Sequence, residues 1–294
     1  REGSGSTGNA RRRTQRRARD AMRPSRTLYV VAWALACAAA AAWLLPYAWM
    51  VATSFKTLPE IVAHPTAPLP ERLDVGAYRE VFRAIPVVRY MAVTIVMASA
   101  IAVAQVALAL PAGYALAKFH FVGQKFAFGV VVACLLVPAQ ATFVPVFLLF
   151  AEMRLVDTMT ALVLPFAASA LGTFLVRQAL LSVPDEIIEA ARMDGAGEWT
   201  IIYRILAPMI KPTLVSLLLV SFVFHYNDYF WPLVMTTGDS VRTLPLGVAL
   251  LREQGTGVRW HIVMAGNVVL SVPVLALFAV AQKHLVRGVG GGES

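Results

Sequence analysis

Residues 28–55 read LYVVAWALACAAAAAWLLPYAWMVATSF, 28 positions without one Asp, Glu, Lys or Arg. A helix needs about 20 mostly apolar residues to cross a bilayer, so this run suffices with room for tilt. A secretory signal has a shorter apolar core, about 7–15 residues. Alanines 38–42 mimic a cleavage site, but apolar sequence continues to Met50. The stretch reads as a retained membrane anchor.

Working outward, five further low-charge stretches follow at 90–117, 126–151, 158–176, 212–238 and 261–282, the fifth of the six being interrupted only by Asp228. The six together make about half the chain, and none shows the period-2 alternation of a membrane β-barrel. The expectation is an all-α membrane protein with six transmembrane helices. Composition agrees: 58% hydrophobic, 15% charged and mean hydropathy +0.66, where soluble domains carry about 25% charged residues. A water-soluble enzyme is excluded.

The net charge of +9 is unevenly spread, with nine of 26 basic residues in the first 26 positions. With the N-terminus inside, the inner segments 1–27, 118–125, 177–211 and 283–294 hold 17 Lys/Arg and the outer ones 9. This bias places both termini in the cytoplasm. The basic tail 1–27 lacks interleaved aromatics and is Gly/Ser-rich at its start, so it reads as a disordered orientation signal facing anionic lipid, not as a nucleic-acid site. Residues 284–294 read as a C-terminal tail.

Both cysteines, Cys37 and Cys134, fall in apolar runs and read as small buried residues. Prolines 46, 111, 138, 145, 165, 232 and 273 lie within the spans and predict bent helices.

The inner connection 177–211 is more than a loop. Ser182-Val183-Pro184-Asp185 has the capping-box spacing, and Asp185 and Glu186 suit a helix N-terminus. Pro184, Ile187, Ile188 and Ala191 share one apolar face, with Asp185, Glu189 and Arg192 on the other. Gly195 predicts a left-handed stop. A second helix is expected from Gly197, with Ile202, Ile205, Leu206 and Met209 in register. Lipid-surface helices favour Lys and Arg on the polar face. Here Asp185, Glu186, Glu189, Asp194 and Glu198 stand against Arg192 alone, so docking to a cytoplasmic protein is the better reading.

The spacing Glu189-Ala190-Ala191, Gly195, Ile205, Pro208 resembles the EAA loop of ABC importer permeases. The string EAARMDGAGEWTIIYRILAPMIKP at 189–212 is similar to the carbohydrate-importer branch, of maltose type. Ser54-Phe55-Lys56, VPAQATFVPVFLLF at 137–150, Asn227-Asp228 with Trp231-Pro232, and Met264-Ala265 resemble further motifs of that branch. Departures are Ala207 where Leu is usual, Tyr226 where Trp is frequent, and a glycine-rich end, 288–294, without the usual lysine. The role of the family's C-terminal tail is therefore not carried over.

The resemblance implies a type I importer permease with a coupling helix at 184–194, inside an EAA loop at 184–208. Glu189, Ala190, Ala191, Arg192, Asp194, Gly195, Ile205 and Pro208 would form the docking element for an ATPase subunit. It further implies a second permease of similar fold, two ATPase copies holding ATP and Mg, and an external solute-binding protein. Such an assembly sits in a bacterial or archaeal cell membrane and imports a sugar or related polyol. No G-x-x-x-x-G-K-[ST] loop, H-E-x-x-H or G-x-S-x-G motif occurs, so no catalytic, metal or cofactor site is expected in this chain.

His225, Asn227 and Asp228 are polar residues within the fifth span. They fit a lining of the sugar path, a proton relay or an interhelical hydrogen-bond cluster. The competing function is an ion-coupled secondary transporter or channel subunit without an ATPase, which requires a charged pair deep in the bundle.

Overall fold

The computed structural model describes residues 26–252 and 259–289, and all its regular structure is helical. The basic tail up to residue 25 and the last five residues lie outside this range. Three helices are long and apolar enough to cross a membrane unbroken, over Tyr29–Ser54, Val87–Lys118 and Trp260–Val280. Pro46, Pro111 and Pro273 sit inside these helices without ending them. The last helix continues to Val289, beyond the expected end of the sixth span.

The other three expected spans are interrupted. The stretch 126–151 divides into Gln124–Cys134 and Phe143–Glu152, separated by a 3-10 turn at Ala139–Ala141. Pro138 supplies no donor to an α-helical ladder at that point, and residues before a proline leave the helical region. Met159–Phe166 and Ala170–Leu181 meet at 42°, with Pro165 in the 3-10 turn that ends the first and Ser169 capping the second through Gly172 N. Lys211–Tyr226 stops at Asn227, and a new helix runs Phe230–Met235.

The Val87–Lys118 helix is the axis of the bundle, packing against both Ala170–Leu181 and Lys211–Tyr226. At Gly113 a Cβ would lie 2.7 Å from Val176 Cγ1 and 2.9 Å from Arg177 N. Only a glycine permits this backbone approach, the small-residue packing common between membrane helices. The Arg26–Ser54 helix, by contrast, lies mainly against Trp260–Val289 and is exposed along most of its length. Its end is pinned within the Ser54-Phe55-Lys56 motif. Ser54 Oγ donates to Val51 O, the Tyr78 hydroxyl lies 2.7 Å from Ser54 Oγ, and buried Lys56 donates to Ala67 O.

Three buried clusters hold the bundle. One, with Leu180, Ile188, Ile201 and Leu206, binds the 185–209 loop to one end of the axis. A second, with Val81, Tyr90, Leu244 and Ile262, closes the opposite end. Between them Met97, Ile101, Leu162, Trp231 and Met235 fill the middle.

Candidate functional site

The 185–209 loop contains a helix at Asp185–Met193, a turn, and a return stretch from Glu198. Gly195 has φ +79°, the expected left-handed stop, and its N–H donates to Arg192 O. An 86° bend then separates Glu198–Met209 from Lys211–Tyr226. The loop therefore lies across the end of the bundle instead of continuing the span.

Three local expectations are corrected. Ser182 does not cap the helix: its hydroxyl donates to Ala179 O at 2.7 Å, and the N-cap position is Pro184, without a side-chain bond. The return stretch is not a plain α-helix, because Ile201–Leu206 forms a π-turn. That wider turn shifts the register, so Ile201 is buried and Met209 is exposed. Ala191 is not presented outward. It is 8% exposed and packs with Ile188 in the bundle's own core, so the helix's apolar face is used within the chain.

The outward surface of the loop is therefore built from Glu189, Ala190, Asp194 and two large apolar side chains, Met193 at 87% and Trp199 at 66% exposure. Ile205 is half-buried against the core and Pro208 is exposed.

Arg192 faces inward electrostatically. Its Nε donates to Glu198 Oε1 at 2.9 Å and its Nη2 to the Tyr114 hydroxyl at 3.1 Å, while that hydroxyl donates to Glu198 Oε2 at 2.7 Å. The Arg192 hydrogen bond, reinforced by Tyr114, holds the Glu198 carboxyl below the usual carboxylate range. The other end of the loop is tied by Lys118, whose Nζ donates to Val183 O and to Asp185 Oδ1, both at 2.6 Å. That bond and the charge of Lys118 lower the Asp185 carboxyl likewise. Arg177 Nε adds a bond to Leu116 O at 3.1 Å. Both ends of the docking helix are thus fastened to the last turn of the Val87–Lys118 helix. The sequence alone does not single out Tyr114 or Lys118, which only their position at a span end signals, and it marks Glu198 only as one of the loop's acidic residues.

A second feature is a cavity of about 1120 Å³ where the three helix breaks meet. Gln140 and Thr142 reach it from the first break, Ser169 from the second, and Asn227 and Asp228 from the third. Discontinuous membrane helices place otherwise unsatisfied backbone and polar side chains beside a cavity, the arrangement that lines many transport sites. Asp228 Oδ1 accepts from Trp231 N at 3.3 Å, and Asn227 Nδ2 donates to Val223 O at 2.8 Å.

His225 does not share this wall. It is buried, 4.9 Å from the Phe166 ring, with Nε2 3.4 Å from Gln105 Nε2, an amide that also donates to Phe166 O at 2.8 Å. The three polar residues of the fifth span therefore divide between an interhelical contact and the cavity. Tyr226, the departure from the expected Trp, is fully buried and donates to Leu270 O at 3.0 Å. Cys37 and Cys134 are exposed rather than buried. Cys134 lines the cavity because Pro138 opens the helix just beyond it.

Among curated proteins, the chain is 33% identical over 199 residues to the sn-glycerol-3-phosphate transport system permease protein UgpE of Yersinia enterocolitica, covering 67% of this chain and 71% of that protein. It is 35% identical over 181 residues to the arabinooligosaccharides transport system permease protein AraQ of Halalkalibacterium halodurans, covering 61% and 64%. A solved bacterial ABC transporter for import of the acidic polysaccharide alginate matches in fold with TM-score 0.78 at 23% identity, over 89% of this chain and 97% of that chain. The fold is that of an ABC importer permease. Residues 109–291 match the family described as the binding-protein-dependent transport system inner membrane component, and the chain belongs to that family.

Proposed function

We propose that this chain is one of two membrane-spanning subunits of an ATP-driven importer for a sugar or related polyol, with ATP hydrolysis in separate subunits. A second permease of similar fold, two cytoplasmic ATPase copies carrying ATP and Mg, and an external solute-binding protein complete the assembly. On this reading the chain crosses the membrane six times, three of the crossings broken, and the Lys/Arg bias of the connections sets both termini and the 185–209 loop on the cytoplasmic side of a cell membrane. Transport of sn-glycerol-3-phosphate and arabinooligosaccharides by similar permeases supports a carbohydrate or polyol cargo.

The observation that carries this reading is the division of the docking helix into two faces. Ile188 and Ala191 bind it to its own bundle, while Glu189, Ala190 and Met193 stand in solvent. An exposed apolar side chain beside an acidic one, on a helix tied rigidly at both ends, is a surface for a protein partner. Closure of the ATPase subunits on ATP would displace the helix. The Lys118 and Tyr114 bonds would carry that displacement into the axis helix, and Gly113 and Val176 would pass it to the neighbouring span. The bound solute would then be released into the cavity, and hydrolysis would reset the pair.

An ion-coupled transporter calls for a charged pair within the bundle. The four ion pairs among the described residues are Lys118–Asp185, Arg192–Glu198, Arg242–Asp239 and Arg259–Glu80, all at helix ends or in connections. The test is co-purification of the ATPase subunit with tagged permease carrying Glu189→Lys or Gly195→Val. Both variants should lose partner and ATP-dependent uptake; retention of both in each variant overturns the docking assignment.

A further inference from the structure

Among the described residues, the cavity at the three helix breaks has one charged lining side chain, and it is a carboxylate. Asp228 stands there with Asn227, Gln140 and Ser169, and with the rings of Trp231 and Phe166. Its contacts are backbone donors, Trp231 N and Phe230 N, which hold it at the break between Lys211–Tyr226 and Phe230–Met235. A carboxylate offers about four lone-pair positions, so these two bonds leave acceptor capacity for a solute. No described Lys, Arg or His lines the cavity.

We propose that this cavity admits neutral or cationic polyhydroxylated solutes and disfavours anionic ones, with Asp228 as the residue that sets the charge preference. The proposal rests on the reading of this chain as a translocation subunit and narrows its cargo. The chemistry is direct: Asp228 accepts from solute hydroxyl or ammonium groups, Asn227 and Gln140 offer amide donors and acceptors, and the rings cover apolar sugar faces. A carboxylate or phosphate on the solute would meet a like charge with no cationic side chain on the wall to offset it. The proposed preference differs from the cargoes named for two similar proteins, sn-glycerol-3-phosphate and the acidic polysaccharide alginate.

Asp228 also resembles a helix cap, and Asp228→Asn separates the two roles because asparagine caps as well as aspartate but carries no charge. Cys134, on the same cavity, is the reporter. In membranes holding the complete transporter with Cys37→Ala, labelling of the Cys134 peptide by a cationic and an anionic methanethiosulfonate is followed by mass spectrometry. The cation-to-anion rate ratio is divided by that of a free thiol in solution. A negative cleft concentrates cations by about tenfold or more, so the expected normalised ratio is about 10, falling to near unity in Asp228→Asn and inverting in Asp228→Lys. A ratio that is the same in the parent and in Asp228→Asn overturns the proposal.

In the second measurement, glucosamine and glucuronate compete with a neutral maleimide for Cys134. Greater protection by glucosamine supports the assignment; equal or greater protection by glucuronate overturns it. Co-purification of the ATPase subunit, read on the same membranes, should be unchanged in Asp228→Asn. Its absence from the parent complex would count against the importer reading alone, and the labelling ratio would still decide the charge preference of the cavity.

Discussion

The Tyr114 hydroxyl donates to Glu198 Oε2 at 2.7 Å, joining the axis helix to the return stretch of the docking loop across 84 positions of sequence. Tyr114 is buried while Glu198 keeps contact with solvent, so the bond links an immobile group to a solvated edge. Tyr114→Phe removes two hydrogen bonds, the one donated to Glu198 and the one accepted from Arg192, without leaving a cavity. Glu198 and Arg192 both remain solvated, so the cost of each bond should fall at the low end for a charge-assisted one, about 1.5 kcal/mol. Thermal unfolding of the detergent-solubilised complex would measure it. The larger effect should be on coupling: the ATPase subunit stays bound, but solute imported per ATP hydrolysed falls in proteoliposomes. An unchanged ratio would show that the bond is only structural.

The pH dependence of this clamp has a definite sign. Arg192, then Tyr114, depress the Glu198 carboxyl in the folded state. Its stabilisation is therefore complete above the unfolded value, about 4.3, and is lost as pH falls through the lower folded value. Melting temperatures of the parent and Glu198→Gln should differ by a constant amount from neutral pH down to about 5. The gap should close only in more acid solution. A gap that closes between pH 8 and 6 would assign the effect to another group.

Much of this was legible in the sequence because apolar length and charge are local quantities. The runs at 28–55, 90–117 and 261–282 correspond to unbroken helices, and Gly195 occupies the left-handed turn its position predicted. The breaks were harder to see. Prolines alone do not announce them, since Pro46, Pro111 and Pro273 lie in continuous helices while Pro138 and Pro165 lie at interruptions. What decides is whether neighbouring helices or turn side chains, such as Ser169, satisfy the released backbone groups. The facing of Ala191 was hidden for a related reason. Periodicity identifies an apolar face but not whether that face meets the chain's own core or a partner.

Lys118 predicts an asymmetry between the two members of an ion pair. Its side chain is 8% exposed and that of Asp185 is 72% exposed, at 2.6 Å separation. An exposed partner contributes little, being screened by solvent and salt. Lys118 also serves the Val183 carbonyl, and Val183 is buried. Lys118→Met would orphan that carbonyl at a cost of about 1–3 kcal/mol, whereas Asp185→Asn should leave the melting temperature nearly unchanged. Comparison of the two single variants, at low and high salt, checks this. Equal destabilisation by both would mean that the ion pair, not the carbonyl bond, holds the loop.

Gly195 allows a conformational cost to be separated from a steric one. Its φ is +79°, and a Cβ placed on it would meet no atom within 4 Å. A larger side chain is therefore opposed by backbone preference alone, about 1–2 kcal/mol for a residue other than glycine in the left-handed region. β-Branched residues tolerate that region worst and asparagine best. The expected order of ATPase-subunit retention is Gly195, then Asn, then Ala, then Val, with ATP-dependent uptake following the same order. A steric block at the partner surface would instead rank the variants by volume and penalise Asn more than Ala. Quantitative co-purification of the Asn, Ala and Val variants decides between the two, because the turn and the partner contact rank Asn and Ala in opposite directions.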